Sequence, residues 1–318
     1  MTQIKPTLTV MCGIQGSGKS TWARNAAALE QEYDGEYDTV ILSSDALREK
    51  HPDFTNEQVF STLYKRMNAL LKENKNVILD ATNVTHKSRK HLLSQVKVDC
   101  YKRCIIVNTP IEVCIERVKT RNESDYPHKV PLEVVDRYYK SFQVPFKEEG
   151  WDTIRIANEP TLAASEKYLE DTFMKTLSFN QDTKYHNLTL DKHIGGAVQY
   201  LEKNAPQDEI LMAAADVHDY GKLKTKTYKE GDSNAHYYGH ENVGAYDILC
   251  ESGCYENDGT NRMIYDRVSM LDLVFFINYH MLPYQWNTEK AKAKWKDIFG
   301  EDKFNRLMLL HEADKAAH

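Results

Sequence analysis

The chain has 318 residues, of which 41% are hydrophobic and 28% are charged, a balance that excludes disordered, collagenous and coiled-coil proteins. Its length is enough for two domains with separate hydrophobic cores. The 41 basic and 47 acidic residues give a net charge of −6, which excludes a protein that coats duplex DNA by charge alone. A local basic site can still hold the end of a nucleic acid.

Neither a membrane span nor a secretory signal is visible in the sequence. The first residues lack a long apolar stretch after a basic start, and no apolar run approaches the ~18 residues of a membrane helix. The six cysteines are scattered, without the paired CxxC spacing of a zinc ribbon. We therefore expect a cytoplasmic protein with no membrane partner.

Strand and helix signals alternate through the first half of the chain. Short apolar runs predict strands at 8–12, 39–42, 76–79, 103–107 and 153–156. Apolar residues at helical spacing predict helices between them, at 21–32 and 56–73. The alternation predicts an α/β domain over residues 1–160, with a parallel sheet and helices on both faces.

After Pro160 the strand pattern almost disappears. Helical patterns follow at 163–177, 190–202, 207–217, 240–250, 267–279 and 304–317. We therefore predict a helical connector over residues 161–182 and an all-α domain over residues 183–318.

The first predicted strand leads into a segment, residues 13–20, that fits the pattern G-x-x-x-x-G-K-[ST]. In such a phosphate-binding loop, glycines let backbone N–H groups surround phosphate oxygens, the lysine reaches the β- and γ-phosphates, and the hydroxyl ligates Mg²⁺. The helix that follows points its positive end at the anion. We therefore expect ATP or another NTP, with Mg²⁺ on Ser20, bound by Gly13, Gly16, Ser17, Gly18, Lys19, Ser20 and Thr21.

Charged residues also occur where open α/β sheets bind ligands, at the carboxyl ends of strands. Asp45 follows the second predicted strand, where a carboxylate can take the proton from an attacking hydroxyl, and Arg48 lies on the same side if a helix begins there. Asp80 ends the third strand and can order Mg²⁺ or the acceptor. Arg121, in a basic run, can neutralise charge in the transition state. An N-cap aspartate, a strand-ending turn and a solvated helix are the structural alternatives.

These elements resemble the kinase module of phage and bacterial polynucleotide 5′-kinases over roughly residues 5–160. That family combines a phosphate-binding loop, an Asp-x-x-Arg element, a strand-end Asp and an Arg-bearing lid, which correspond here to 13–20, Asp45/Arg48, Asp80 and Arg121. The resemblance implies that Asp45 is the general base toward a ribose 5′-OH and that Arg48 binds the acceptor's neighbouring phosphate. It implies that Arg121 clamps the donor, although Asp125 stands where some members carry a second lid arginine.

The second half contains histidines and aspartates in the order His, His-Asp, His, His, Asp, all on predicted helices. These residues are His193, His218, Asp219, His240, His280 and Asp314. Imidazole and carboxylate are the ligands of divalent transition metals, and two ions about 3.5–4 Å apart can polarise a phosphoryl group. His218 and Asp219 can both contribute if the helix is locally loosened or if Asp219 bridges two ions. Lys222 can hold a substrate phosphate.

This arrangement resembles the HD phosphohydrolase superfamily, an all-α metal-dependent fold, over about residues 183–318. The implied core ligands are His193, His218, Asp219 and Asp314, and the implied extra ligands of two-metal members are His240 and His280. The resemblance implies one or two ions of Mn²⁺, Ni²⁺, Co²⁺ or Zn²⁺, with Asp219 and Lys222 as catalytic residues.

Fusions of these two modules resemble bacterial and phage end-healing enzymes. The combination predicts a bifunctional enzyme that phosphorylates 5′-OH ends of RNA and removes a 3′-terminal phosphate or 2′,3′-cyclic phosphate. Whether it also acts on DNA is left open. A separate RNA or DNA ligase is the expected pathway partner, in the cytoplasm of a bacterium or of a phage-infected host cell. Two alternatives stay open, namely a nucleoside or small-metabolite kinase fused to an HD nucleotidase, and an HD protein that senses a nucleotide.

Overall fold

A computed structural model of the chain describes residues 5–33, 38–125, 129–158, 160–183, 188–252 and 267–317. The chain divides into two compact units. The first comprises residues 1–138 and 149–158, and the second comprises residues 139–148 and 159–318. Residues 139–148 therefore group with the second unit. The domain boundary at 160 and the connector over 161–182 stay predictions.

The first unit is built on a parallel sheet. Its strands are β1 (Thr7–Cys12), β2 (Thr39–Ser43), β3 (Asn76–Asp80), β4 (Tyr101–Ile106) and β5 (Thr153–Ile156). They lie in the order β2-β3-β1-β4-β5, and all neighbours are parallel. The predicted α/β sheet is confirmed. Because β3 lies between β2 and β1, the carboxyl ends of these three strands meet at one edge.

Helices flank this sheet. They are α1 (Lys19–Tyr33), α2 (Ser44–Lys50), α3 (Asn56–Lys72), α4 (His86–Gln95), α5 (Ile111–Glu123) and α6 (Leu132–Tyr139), with a 3-10 turn at Lys147–Glu149. A capping box starts α3, since the Thr55 side chain accepts from the Gln58 amide and the Gln58 side chain binds the Thr55 amide. One face of α3 is buried through Val59, Leu63, Met67 and Leu71.

A buried ion pair ties α4 to the 3-10 turn in the first unit. Arg89 donates to both carboxylate oxygens of Glu149, from Nε at 2.8 Å and from Nη2 at 2.7 Å. His86 and Trp151 also contact this carboxylate. Both side chains of the pair are fully buried, so each charge depends on the other for compensation.

The second unit is mainly helical, as predicted. Its helices are α7 (Leu162–Thr176), α8 (Leu190–Asn204), α9 (Glu209–Val217), α10 (Lys222–Thr225), α11 (His240–Glu251), α12 (Arg267–Tyr279), α13 (Glu289–Phe299) and α14 (Glu301–Ala316), with a 3-10 turn at Leu282–Gln285. A hairpin of β6 (Thr227–Tyr228) and β7 (Ala235–His236) departs from the all-α prediction, because two-residue strands are too short to show an alternating pattern. Within the described ranges, no helix has the length and apolarity to cross a membrane.

Candidate functional site

The segment between β1 and α1 forms a tight phosphate-binding loop. Gly16 and Gly18 have φ values of 81° and 100°, which favour glycine. At Gly16 an added Cβ would also overlap the carbonyl oxygen of Cys114, so this position has no room for a side chain. Lys19 Nζ donates a 2.8 Å hydrogen bond to the Ile14 carbonyl and so lies back across the loop.

The loop is connected to the end of β3 by a polar pair. Ser20 Oγ donates a 2.7 Å hydrogen bond to Oδ2 of Asp80, a buried carboxylate. Hydroxyl and carboxylate oxygens are ligands that suit Mg²⁺, so these two residues fit the predicted ion. Desolvation lowers the pKa of Lys19, and the carboxylates of Asp80 and Asp45 oppose that shift.

Asp45 lies in the first turn of α2, so the condition under which Arg48 lies on the same side as Asp45 is met. The helix is capped by the Ser43 side chain, which accepts from the Ala46 amide. Arg48 Nη1 lies 3.2 Å from Asp45 Oδ1, and Arg48 Nη2 donates to Asn56 Oδ1 at 2.7 Å. The Asp45 side chain is 59% exposed, so its carboxylate is oriented by Arg48 and open to a hydroxyl.

These groups open into one cavity of about 1360 Å³ within the first unit. The predicted kinase residues that line it are Gly16, Gly18, Lys19, Ser20, Thr21, Asp45, Arg48, Asp80 and Arg121. Gly13 and Ser17 belong to the loop and are buried beside it. Seven lining residues are basic and three are acidic. The cavity is therefore positive in a chain with a net charge of −6.

Two arginines of α5 reach this cavity. Arg117 Nη1 donates to the Gly16 and Ser17 carbonyl oxygens at 3.2 and 3.4 Å. Thr109, which precedes α5, donates to the same Ser17 carbonyl at 2.8 Å. Arg121 lines the cavity one turn further along α5. Residues 126–128, in the polar stretch beyond it, lie outside the described ranges.

All six predicted metal ligands meet inside the second unit. They are His193 on α8, His218 and Asp219 after α9, His240 on α11, His280 after α12 and Asp314 on α14. Each of the six is buried. Two overlapping groups have ligand atoms close enough to share an ion, namely His193/His218/Asp314 and His218/Asp219/His280. Residues that are far apart in the sequence thus lie together in one buried cluster.

The four imidazoles of this cluster share one orientation. Each Nδ1 hydrogen-bonds a backbone carbonyl, at 3.2 Å for His193, 2.7 Å for His218, 2.8 Å for His240 and 2.7 Å for His280. With Nδ1 bonded to a carbonyl, the Nε2 atom of each ring faces the centre of the cluster, where its lone pair can bind a metal ion once that nitrogen has lost its proton. Histidines that ligate metals are held in this way by their other ring nitrogen.

Asp219 offers one carboxylate oxygen to each half of the cluster. Its Oδ2 lies 3.2 Å from His193 Nε2 and 3.4 Å from His218 Nε2. Its Oδ1 lies 3.2 Å from His240 Nε2 and 3.6 Å from His280 Nε2. The helix is interrupted here, since α9 ends at Val217. The loosened backbone lets neighbouring His218 and Asp219 both face the cluster.

The charges of the cluster favour a cation at its centre. Burial lowers the pKa of His193, but hydrogen bonds to Asp219 and Asp314 outweigh burial and raise it to about 9. Burial raises the pKa of Asp219, but the positive charge of Lys222 leads the effects that hold it well below its ordinary value. Imidazole and carboxylate donors together fit a divalent transition metal, and such an ion would supply positive charge at the centre of the cluster.

Lys222 is buried against the cluster. Its Nζ lies 2.6 Å from Asp219 Oδ2 and donates to Gln181 Oε1 at 2.8 Å. The turn between α9 and α10 interrupts the helix that would place Lys222 on the same face as His218. In this structure the lysine neutralises a carboxylate, and its role in binding a substrate phosphate stays a prediction.

Two residues beside the cluster carry no sequence motif. Tyr284 donates a 2.9 Å hydrogen bond to Asp314 Oδ2 and so fixes that carboxylate. Gln181 holds Lys222 through its side chain. Neither belongs to a pattern of fixed spacing, and only Tyr284, four positions after His280, has a site residue nearby in the sequence.

Comparisons with known proteins concern mainly the first half of the chain. A family described as AAA domain matches residues 8–145. An L-seryl-tRNA(Sec) kinase from Methanococcus maripaludis is 28% identical over 159 residues, which are 48% of this chain and 59% of that protein. The chain thus matches less than two thirds of this curated relative.

Solved structures also show similarities. A chain in the Pnkp1/Rnl/Hen1 RNA repair complex is 25% identical, with a TM-score of 0.37 over 43% of this chain and 44% of that chain. A fungal RNA kinase is 12% identical, with a TM-score of 0.36 over 65% of this chain and 89% of that chain. The family match, the phosphate-binding loop and the sheet order together make the first unit a P-loop kinase domain, a class that uses ATP and Mg²⁺.

Proposed function

We propose that this chain is a bifunctional enzyme that heals nucleic-acid ends. Its first unit phosphorylates 5′-OH ends of RNA, with DNA as a second acceptor to be tested, and its second unit removes a 3′-terminal phosphate or 2′,3′-cyclic phosphate. The products, a 5′-phosphate and a free 3′-OH, are the end groups that a separate ligase requires. The observation that carries the bifunctional proposal is the buried cluster of four inward-facing imidazoles in a chain that also contains a kinase domain.

In the proposed kinase reaction, Lys19 and the loop amides bind the phosphates of ATP, while Ser20 and Asp80 hold Mg²⁺. Asp45 accepts the proton from the attacking 5′-OH, and its exposed carboxylate, 3.2 Å from Arg48, supports this role. Arg48 then binds the phosphate next to the reacting ribose. Arg121, at the cavity wall, balances charge on the transferred group.

The positive cavity supports a polyanionic acceptor, since its seven basic residues exceed its three acidic ones. The name of the curated relative, a kinase of seryl-tRNA, also supports a hydroxyl acceptor carried on RNA.

In the proposed hydrolase reaction, the four imidazoles, Asp219 and Asp314 would together hold one or two divalent transition metal ions, which would supply Lewis acidity toward the phosphoryl group. The protein's own contribution is to orient each Nε2 through a carbonyl bonded to Nδ1. Lys222 keeps Asp219 ionised, as the low pKa of that carboxylate indicates.

One RNA oligonucleotide with a 5′-OH and a 2′,3′-cyclic phosphate tests both reactions. We would incubate it with ATP, Mg²⁺ and Mn²⁺, Ni²⁺, Co²⁺ or Zn²⁺, and read both ends by mass spectrometry. The 5′ end should gain a phosphate and the 3′ end should lose one. Lys19→Ala should abolish only the first change and Asp219→Ala only the second.

Matched controls are Lys72→Ala and Asp297→Ala, which alter exposed helical residues outside both sites. Both should behave like the wild type. If neither end changes with any metal, the polynucleotide proposal fails, and nucleosides or small metabolites become the acceptors to screen. If one substitution removes both reactions in a folded protein, the two-site proposal fails.

A further inference from the structure

The cavity of the first unit is larger than ATP phosphates and one ribose require. Its volume of about 1360 Å³ exceeds the ~300–1,000 Å³ of pockets that bind drug-sized ligands. Beyond the phosphate-binding loop, its lining extends along α3 and α4. This additional region has a wall of aromatic side chains.

The aromatic wall consists of Phe60, Tyr64 and His91. Phe60 and Tyr64 lie one turn apart on α3 with ring centroids 6.0 Å apart, and His91 on α4 lies edge-on to Tyr64 at 5.8 Å. The guanidinium of Arg48 lies 5.9 Å from the Phe60 ring, which connects the wall to the proposed acceptor phosphate site. Core packing of α3 uses other residues, so the aromatic wall lines the cavity.

The wall is held in place by hydrogen bonds between α3 and the end of α4. Asn68 Nδ2 donates to the Tyr64 carbonyl at 2.8 Å and to the Gln95 carbonyl at 2.9 Å. Asn68 Oδ1 accepts from the Lys97 amide at 2.7 Å. Lys97 and Lys65 add two exposed ammonium groups to this part of the lining. A fixed aromatic surface with cations beside it is what single-stranded nucleic acid binds.

We propose that the aromatic wall stacks a nucleobase that follows the reacting 5′ nucleotide, with the next phosphate beside Lys65 and Lys97. This inference rests on the proposed kinase function and specifies its substrate. The acceptor is a single-stranded end of at least two nucleotides, of any sequence, because every base has a π face. A nucleoside 3′-phosphate fills only the part of the cavity near Arg48.

A short RNA with a 5′-OH and 2-aminopurine as its second base tests this stacking directly. Binding to the wild-type chain should quench its fluorescence. Tyr64→Leu and Phe60→Leu keep apolar volume and remove the π face, and each should weaken binding roughly five- to a hundredfold. Phe54→Leu is the matched control, because Phe54 is half-buried, stacks on His51 at 4.4 Å and lies outside the cavity lining. It should bind like the wild type.

Kinase assays give a second readout, the ratio of kcat/KM for a trinucleotide to kcat/KM for a nucleoside 3′-phosphate. The ratio should exceed one in the wild type and fall by about tenfold in the leucine variants. His91→Ala, at an exposed helix position, provides the same test if a leucine variant does not fold.

A wild-type ratio near one, unquenched 2-aminopurine, or an unchanged ratio in the folded variants would overturn the stacking proposal while leaving the kinase function intact. Failure to phosphorylate any 5′-OH oligonucleotide would overturn the proposed function itself. The two failures are thus distinguishable.

Discussion

Ser20 and Asp80 are joined by a 2.7 Å hydrogen bond from the hydroxyl to the carboxylate across 60 positions of the sequence. The serine belongs to the first turn of α1 and the aspartate is the last residue of β3. Their contact connects the phosphate-binding loop to the strand beside it. The Ser20 hydroxyl and the Asp80 carboxylate therefore lie where a P-loop kinase holds Mg²⁺.

Replacing Asp80 by Asn should make the kinase dependent on more Mg²⁺, because the amide keeps the hydrogen bond and loses the charge. We expect the Mg²⁺ concentration for half-maximal rate to rise about 10- to 100-fold. Initial rates over a Mg²⁺ titration measure this change. Asp99→Asn, which alters an exposed carboxylate paired with Lys5, is the control and should titrate like the wild type. Identical curves for both variants would remove Asp80 from the ion site.

Local sequence was sufficient to predict the kinase loop and its neighbours. The loop is one continuous segment, and a charged residue at the end of an apolar strand can be placed without knowing the rest of the fold. Contacts between distant segments could not be predicted in this way. Arg117 reaches the Gly16 carbonyl 101 positions away, and Arg89 meets Glu149 across 60 positions. Neither pair has a fixed spacing that a sequence pattern can encode.

The histidine–aspartate cluster shows the same limit at the level of orientation. The order of the residues and the resemblance to the HD superfamily predicted which histidines and aspartates would gather in the second unit. The sequence left two explanations open for how His218 and Asp219 could both contribute. The structure contains the loosened helix, and it also turns the two oxygens of Asp219 toward different histidine pairs. These details depend on the residue at which α9 ends, and the spacing of apolar residues in the sequence does not determine a helix end to within a residue.

The two-sided geometry of Asp219 predicts two divalent ions per chain. His240→Gln should leave one ion, because it removes a ligand facing Oδ1 and leaves the His193 side intact. Asp219→Asn should lose both, since this residue faces both halves. Inductively coupled plasma mass spectrometry after loading with Mn²⁺, Ni²⁺, Co²⁺ or Zn²⁺ and dialysis gives the count.

His51→Gln is the control for metal content, because this half-buried histidine stacks on Phe54 in the first unit. It should retain both ions. An unchanged count in His240→Gln would mean that the Oδ1 side does not hold a metal. Chelation should also lower the melting temperature of the wild type, since ions that bind only the folded state stabilise it.

The buried pair of Arg89 and Glu149 should dominate the electrostatic stability of the first unit. Arg89→Met leaves the buried carboxylate without its partner, and we expect a loss of about 3–5 kcal/mol in the free energy of unfolding. Lys5→Met breaks the exposed pair with Asp99 and should leave that free energy nearly unchanged, because water screens an exposed ion pair. Urea unfolding at pH 7 measures both. Equal small effects would contradict the contribution assigned to the buried pair.

This pair also predicts a pH dependence. Burial raises the pKa of Glu149, but the charge and hydrogen bonds of Arg89 outweigh burial, so the folded pKa lies below the ordinary value. The stabilisation is therefore present above the unfolded pKa of about 4.3 and is lost as the pH falls through the lower folded value. The difference in unfolding free energy between wild type and Arg89→Met should shrink from pH 7 toward pH 3. A constant difference would contradict this sign.

Gly16 should tolerate no side chain, for two separate reasons. Its φ of 81° strains any other residue, and an added Cβ would overlap the Cys114 carbonyl. Gly231 has a similar φ of 77° with open space around it, so Gly231→Ala measures the strain alone, roughly 1 kcal/mol. Gly16→Ala should lower stability further and abolish ATP binding, because relieving the overlap displaces the amides that surround the phosphates. Calorimetry and ATP titration of both variants test this. Normal ATP binding by a folded Gly16→Ala protein would show that the loop does not need this close approach to α5.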